Sequence, residues 1–177
     1  MALTLVTTVG ASSANSYVTK AEADTYAESV FPASTVDAWT HGATEDQIRA
    51  LVRATELLDQ MRSAGDRVDA TQKLAWPRAG VTKPDGSSAY LSTEIPELIK
   101  RAQARLAFFL LQHATDPDVF GPSEDAGLSS IGFGSELSMA FEAGSTRQSE
   151  GQRFIAEVIR PILGDLVYAP SARLVRG

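Results

Sequence analysis

Basic side chains repeating along single predicted helices are the residues whose type and spacing could do chemistry here, and that chemistry would be the neutralisation of phosphate. Arg49, Arg53 and Arg62 fall on one such helix, and Lys100, Arg101 and Arg105 on another. Cations gathered this way on a helix face are the footprint of a nucleic-acid binder. The charge balance of the chain opposes it. With 16 Lys and Arg against 22 Asp and Glu the net charge is −6, so no general phosphate-gripping surface is expected, and each cluster also reads as a solvated helix face. Other chemistries lack their constellations. The two histidines, His41 and His113, have no second metal ligand at helical or loop spacing. Gly132-Phe133-Gly134 lacks the third glycine of a dinucleotide fingerprint. Asp116-Pro117-Asp118 and Glu124-Asp125 lack the glycine and closing glutamate of a calcium loop. No serine sits in a nucleophile elbow. No catalytic, cofactor-binding or metal-ligating set is therefore predicted, and the chain does not read as an enzyme.

A chain of 177 residues can bury roughly 70% of its unfolded surface in one domain. It contains no cysteine, which removes disulfides and thiolate chemistry and fits a reducing cytoplasm. The apolar stretches Leu106 to Leu111 and Ile159 to Val167 are too short to span a bilayer, and Met1 to Val9 has no signal-peptide pattern. The expectation is a protein made in the cytoplasm, with no membrane partner.

The elements that must position these residues are mainly helical. Thr19-Lys20-Ala21-Glu22 reads as a capping box opening a short helix to about Glu28, with Asn15 setting a turn just before it. Phe31 to Gly42 reads as a loop anchored by Trp39. Thr44-Glu45-Asp46-Gln47 reads as a second capping box, followed by Ile48, Leu51, Val52, Leu58 and Met61 on one face of a helix ending near Gly65. Pro96 suits the first position of a third helix with Thr93 as a candidate cap; Ile99, Ala102, Leu106, Phe109 and Leu110 form its buried stripe. Between these helices, Trp76 precedes Pro77 and is pushed into extended backbone. It is expected to plug the core, with Arg78 turned to a carboxylate or a neighbour. Alternation of Ile131, Phe133, Leu137, Met139 and Phe141 predicts a β-hairpin. A last helix over Thr146 to Leu163 should kink or stop at Pro161. The predicted fold is mainly α: a small bundle of about four helices over residues 1–163, a short β-hairpin inserted near 128–142, and an extended C-terminal tail over 164–177.

Two segments stand out as structural motifs. The first runs from Ala14 to Tyr26 and contains Asn15, Tyr17, Ala21, Asp24 and Tyr26; the second, Leu74 to Gly80, contains Trp76, Pro77 and Arg78. In this order and spacing they resemble the small head-to-tail adaptor (connector, neck) proteins of tailed bacteriophages, some of which are labelled DnaT-like single-stranded-DNA-binding proteins. Arg160-Pro161-Ile162-Leu163-Gly164 and the terminal Arg176-Gly177 agree with the same family, whose members often carry an aromatic where this chain has Ala27.

The resemblance implies a structural virion protein at the head-to-tail junction. Such a protein forms a ring with itself, dodecameric in relatives, beneath the portal protein, and docks the next neck or tail-completion component. DNA would pass through its lumen without specific binding, which acidic walls favour. Under this reading the tail supplies a partner interface, with Leu166, Val167 and Tyr168 packing on a neighbour and Arg173 and Arg176 meeting acidic groups. The alternative carried by the same label is a replication accessory protein that binds single-stranded DNA, which requires a basic groove and stacked aromatics.

Overall fold

The computed structural model describes residues 3–83, 85–86, 89–115, 119 and 149–167. Its elements are α1 (Lys20–Glu28), a 3-10 turn (Ala33–Val36), α2 (Asp37–Thr40), α3 (Thr44–Asp59), β1 (Asp66–Arg67), β2 (Arg78–Ala79), α4 (Glu97–Gln112), α5 (Glu150–Phe154), a π turn (Ile155–Ile159), α6 (Arg160–Leu163) and a 3-10 turn (Gly164–Leu166). The mainly helical expectation holds. The strand pair lies at a different place from the expected hairpin: β1 and β2 pair antiparallel with Asp66 opposite Ala79 and Arg67 opposite Arg78. The predicted hairpin near 128–142 lies outside the described residues.

Helix α4 is the centre of the molecule because it carries a broad apolar stripe. Ile99, Ala102, Ala104, Leu106, Ala107 and Phe108 are buried on it, and it packs against α1, α2, α3, α6, the first 3-10 turn and the π turn. Its most extensive partner is α3, which turns Ala50, Leu51, Ala54, Leu57 and Leu58 inward. Trp39 closes one end of this core, with its ring 4.9 Å from that of Phe108.

Local chemistry explains where the elements begin. The capping box at Thr19 forms as read: the Glu22 amide donates to Thr19 Oγ1, and the Glu22 carboxylate accepts from the Thr19 amide at 2.8 Å. The one expected at Thr44 does not. Helix α3 starts at Thr44 with Ala43 as its N-cap and no side-chain cap, because Gln47 is drawn inward and donates to the Trp39 carbonyl at 2.6 Å. The helix also ends at Asp59, short of Gly65. Similarly, Pro96 is the N-cap of α4 and not its first residue, and Thr93 makes no cap. The stretch read as a loop around Trp39 winds into the 3-10 turn and α2, and the Phe31–Pro32 and Trp76–Pro77 peptide bonds are cis. At Ser149 a capping box with Gln152 opens the last helical segment. The π turn ends at Ile159, two residues before Pro161, whose ring would crowd the carbonyl four residues back in a regular α-helix. The chain passes Pro161 and ends its helix at Leu163, before Gly164 at φ +50°.

Beyond Gly164 the chain does not leave the domain at once. Leu166 is buried in the core, its carbonyl accepts from the Ala64 amide at 2.9 Å, and Val167 forms an isolated antiparallel bridge with Ser63. The expectation of a tail beginning at 164 is corrected for these residues, which pack on the domain's own core and hold α6 to the segment after α3. Tyr168, Arg173 and Arg176 lie outside the described residues.

Candidate nucleic-acid interface

The two motifs meet in one buried hydrogen-bond clamp. The Tyr17 hydroxyl donates to Asp59 Oδ1 at the end of α3 and accepts from the Trp76 amide at 3.2 Å, while Asp59 Oδ2 accepts from the Ala75 amide at 3.1 Å. From the other side, the Tyr17 amide donates to Gln103 Oε1 at 2.9 Å, and Gln103 Nε2 donates to Ser16 Oγ at 2.7 Å and the Leu51 carbonyl at 3.0 Å. One fully buried glutamine on α4 thus ties the first motif to α3. Burial, then the neighbouring Asp59, pushes the Tyr17 phenol well up. Burial also raises the Asp59 carboxyl, against the bonds from Tyr17 and Ala75 that favour its charge.

The remaining motif residues serve the same end. Asn15 accepts from the Val6 amide at 2.7 Å and donates to the Thr4 carbonyl at 2.9 Å, holding the N-terminal segment. Asp24 accepts from the Trp39 indole at 3.0 Å and pairs with Lys20. Tyr26 donates to Glu97 at 2.5 Å, and burial and that carboxylate raise its phenol. Ala21 is exposed on α1. Trp76 is buried as expected, and Pro77 beside it is buried too. Arg78 differs: its guanidinium donates to the carbonyls of Ala64 (2.6 Å), Gly65 and Ala75, not to a carboxylate. Gly65 permits the close approach, since it holds φ +70° and a Cβ there would collide with the Ala79 carbonyl oxygen.

The expected basic helix faces are weaker than their sequence spacing. Arg49 is paired with Glu45 and Asp46, and Arg53 with Glu56. Arg62 lies beyond the end of α3. Lys100 is taken by Glu22 at 2.8 Å.

The ladder region offers more. Between residues 60 and 83 there are five cations, Arg62, Arg67, Lys73, Arg78 and Lys83, against Asp66 and Asp69, a local surplus of +3 within a chain of −6. Arg67 faces Arg78 across the ladder; with the Arg78 guanidinium folded back on carbonyls, Arg67 remains exposed to solvent. Nearby, Lys83 Nζ lies 5.6 Å from the centre of the half-buried Tyr90 ring. That ring is edge-on to Trp76 at 6.4 Å, and the Tyr90 amide donates to the Val81 carbonyl at 2.8 Å. Burial, then Glu94 and Asp85, raises the Tyr90 phenol, so it stays neutral. An uncharged, anchored ring close to a cation brings together the two groups that single-strand binders use, an aromatic and a positive charge. Between Lys83 and Tyr90 the sequence carries only the turn signature Pro84-Asp85-Gly86. The available signal was an aromatic seven residues from a lysine on the far side of that turn.

No curated protein and no solved structure matches the chain. A family model described as "Putative DnaT-like ssDNA binding protein" matches residues 1–177. This overturns the reading as a structural head-to-tail adaptor: the description attached to the whole-chain match is single-stranded DNA binding, the function that reading set second. By this match over its full length, the chain belongs to the DnaT-like ssDNA-binding family.

Proposed function

We propose that this protein binds single-stranded DNA as a replication accessory factor, without catalysis, and that the Arg67–Lys83–Tyr90 face receives the strand. The family description supports the activity. The observation that carries the location is the Lys83–Tyr90 pair at the end of the basic stretch 60–83. Tyr90 supplies a π face that tolerates any base, while Arg67 and Lys83 neutralise phosphates. Trp76 acts from behind, bracing Tyr90 at its edge; it is too buried to stack on a base itself. The acidic remainder of the protein makes this a modest, salt-sensitive binder with a short footprint.

Fluorescence anisotropy with a labelled oligothymidylate tests the proposal. The expected affinity is on the order of micromolar, and neutralising two phosphates through Arg67 and Lys83 gives a log–log salt slope of about −1.4. Tyr90→Ala and Lys83→Ala should each weaken binding while leaving the denaturation midpoint nearly in place. Absence of binding at low salt would overturn the activity, and unchanged binding by both variants would overturn the location.

A further inference from the structure

The segment ahead of α1 leaves one backbone edge open. The Val6 amide donates to Asn15 Oδ1 at 2.7 Å, the Val6 carbonyl accepts from the Asn15 amide at 2.9 Å, and the Thr4 carbonyl accepts from Asn15 Nδ2 at 2.9 Å. Bonds from residues two apart to one partner are the signature of an extended chain, in which alternate residues turn their amides and carbonyls to opposite sides. Leu3, Leu5 and Thr7 therefore aim theirs away from Asn15, and among the described residues none of these backbone groups has a hydrogen-bond partner. The segment also lacks the guards of a free edge, which are usually lysine and proline. Residues 3–9 contain no charge and no proline, five of the seven are valine or threonine, and the first charged side chain in the sequence is Lys20. Such a composition favours strand pairing.

We propose that this edge pairs with the same edge of a second copy of the chain, antiparallel about a two-fold axis at Leu5. Leu5 then exchanges two backbone bonds with its own equivalent, and Leu3 and Thr7 of each copy exchange two with Thr7 and Leu3 of the other, about six bonds in all. Charge selects this occupant. Two-fold pairing sets the segment against itself, so a charge on the edge would meet its like; the edge is uncharged within a chain of net charge −6. Leu5 packs on the domain's own core, so each strand brings a covered face to the pair, which an isolated hairpin lacks. The contact is small, and a dimer dissociation constant on the order of 10 µM is expected. The inference does not rest on the DNA-binding proposal.

Sedimentation equilibrium and amide hydrogen exchange of the full chain test this. The protein should be monomeric near about 1 µM and dimeric near about 100 µM. Over the same range the Leu5 and Thr7 amides should come to exchange severalfold more slowly, while the Val6 amide, bonded to Asn15 in either state, serves as the internal control. Leu3 and Thr7 lie opposite each other across the axis, which makes the register testable by charge. Leu3→Lys with Thr7→Lys, and Leu3→Glu with Thr7→Glu, should each dimerise about tenfold more weakly. An equimolar mixture of the two should recover the wild-type affinity, and recovery shows that both are folded. A monomer at every concentration would overturn the second copy as occupant and leave the edge to a foreign strand; assemblies larger than a dimer would overturn the two-fold closure. Equal exchange of Leu5 and Thr7 at both concentrations, dimers indifferent to like charges, or a mixture of folded variants no tighter than its components would overturn the pairing of this edge. The exchange measurement needs no substitution and decides the matter if either variant fails to fold.

Discussion

The motif clamp and the ladder face share Trp76 and little else. On one side of the indole, Tyr17, Asp59, Gln103 and the Ala75 and Trp76 amides form a network in which buried polar groups satisfy one another. On the other, Tyr90 and Lys83 meet solvent with a ring and a charge only partly committed to the protein. A buried polar group left without a partner costs far more than a satisfied bond contributes. The clamp therefore tolerates few substitutions, whereas the face can change at small cost to folding. Residues that read most clearly as a family motif are in this molecule the ones that hold it together, and those proposed to touch DNA stand beside them.

The sharpest way to break the comparison is at the shared residue. Trp76→Ala should destabilise the fold by about 3–5 kcal/mol through cavity formation, and should weaken DNA binding only as far as Tyr90 loses its brace. Chemical denaturation alongside anisotropy measures both; an unchanged midpoint with abolished DNA binding would move Trp76 from the clamp to the interface.

Within the clamp, Tyr17→Phe removes the donor to Asp59 and the acceptor of the Trp76 amide, with an expected loss of about 1–3 kcal/mol. Asp59 adds a pH signature. Burial raises its folded-state pKa above the ordinary carboxylate value, so the folded protein holds a proton that the unfolded chain releases. Its ionisation therefore costs stability at neutral pH, and that cost is relieved as pH falls through the raised pKa towards the unfolded value. Asp59→Asn cannot gain this relief, so its stability should fall more steeply than the wild type's on acidification below neutrality. Denaturation midpoints measured across the acidic range would refute the assignment if the two curves stayed parallel.

On the exposed side, Tyr90→Ala should cost about 1–3 kcal/mol of DNA affinity, the usual contribution of one stacked base, with little change in the midpoint. An equal loss of stability would place Tyr90 in the clamp and dissolve the distinction between the two regions.

Legibility in the sequence followed the same divide. The α1 capping box, the apolar stripe of α4 and burial of Trp76 were readable because each depends on local spacing or on sheer apolar area. The N-cap of α3 was not, since Thr44 and Gln47 have the right types but Gln47 is claimed by the Trp39 carbonyl, a tertiary partner. Nor was the ladder, whose strands are two residues long with mostly exposed side chains and carry no alternation. Leu166 and Val167 read as interface residues because apolar side chains after Gly164 have no periodicity; their partners, Ala64 and Ser63, are about a hundred residues away. Lys83 and Tyr90 met across a turn whose residues announced only that the chain reverses.

The smallest expected effect bears on the second basic helix face. Lys100 pairs with Glu22 at 2.8 Å while Glu22 also accepts from Thr19 in the capping box. Burial alone would raise the Glu22 carboxyl, but the bonds from Lys100 and Thr19 outweigh it and hold the group below its ordinary value. The sign is opposite to that of Asp59: the stabilisation is present above the unfolded pKa and is lost as pH falls through the lowered folded value. The Glu22 side chain is 41% exposed, so solvent screens the pair and Lys100→Met should cost only about 0.2–1 kcal/mol, less in high salt. If α4 instead contributed to the DNA surface through Lys100, the same variant would weaken oligothymidylate binding and flatten its salt slope. Anisotropy at two salt concentrations decides: an unchanged slope leaves Lys100 as a brace for α1 and the strand on the ladder face.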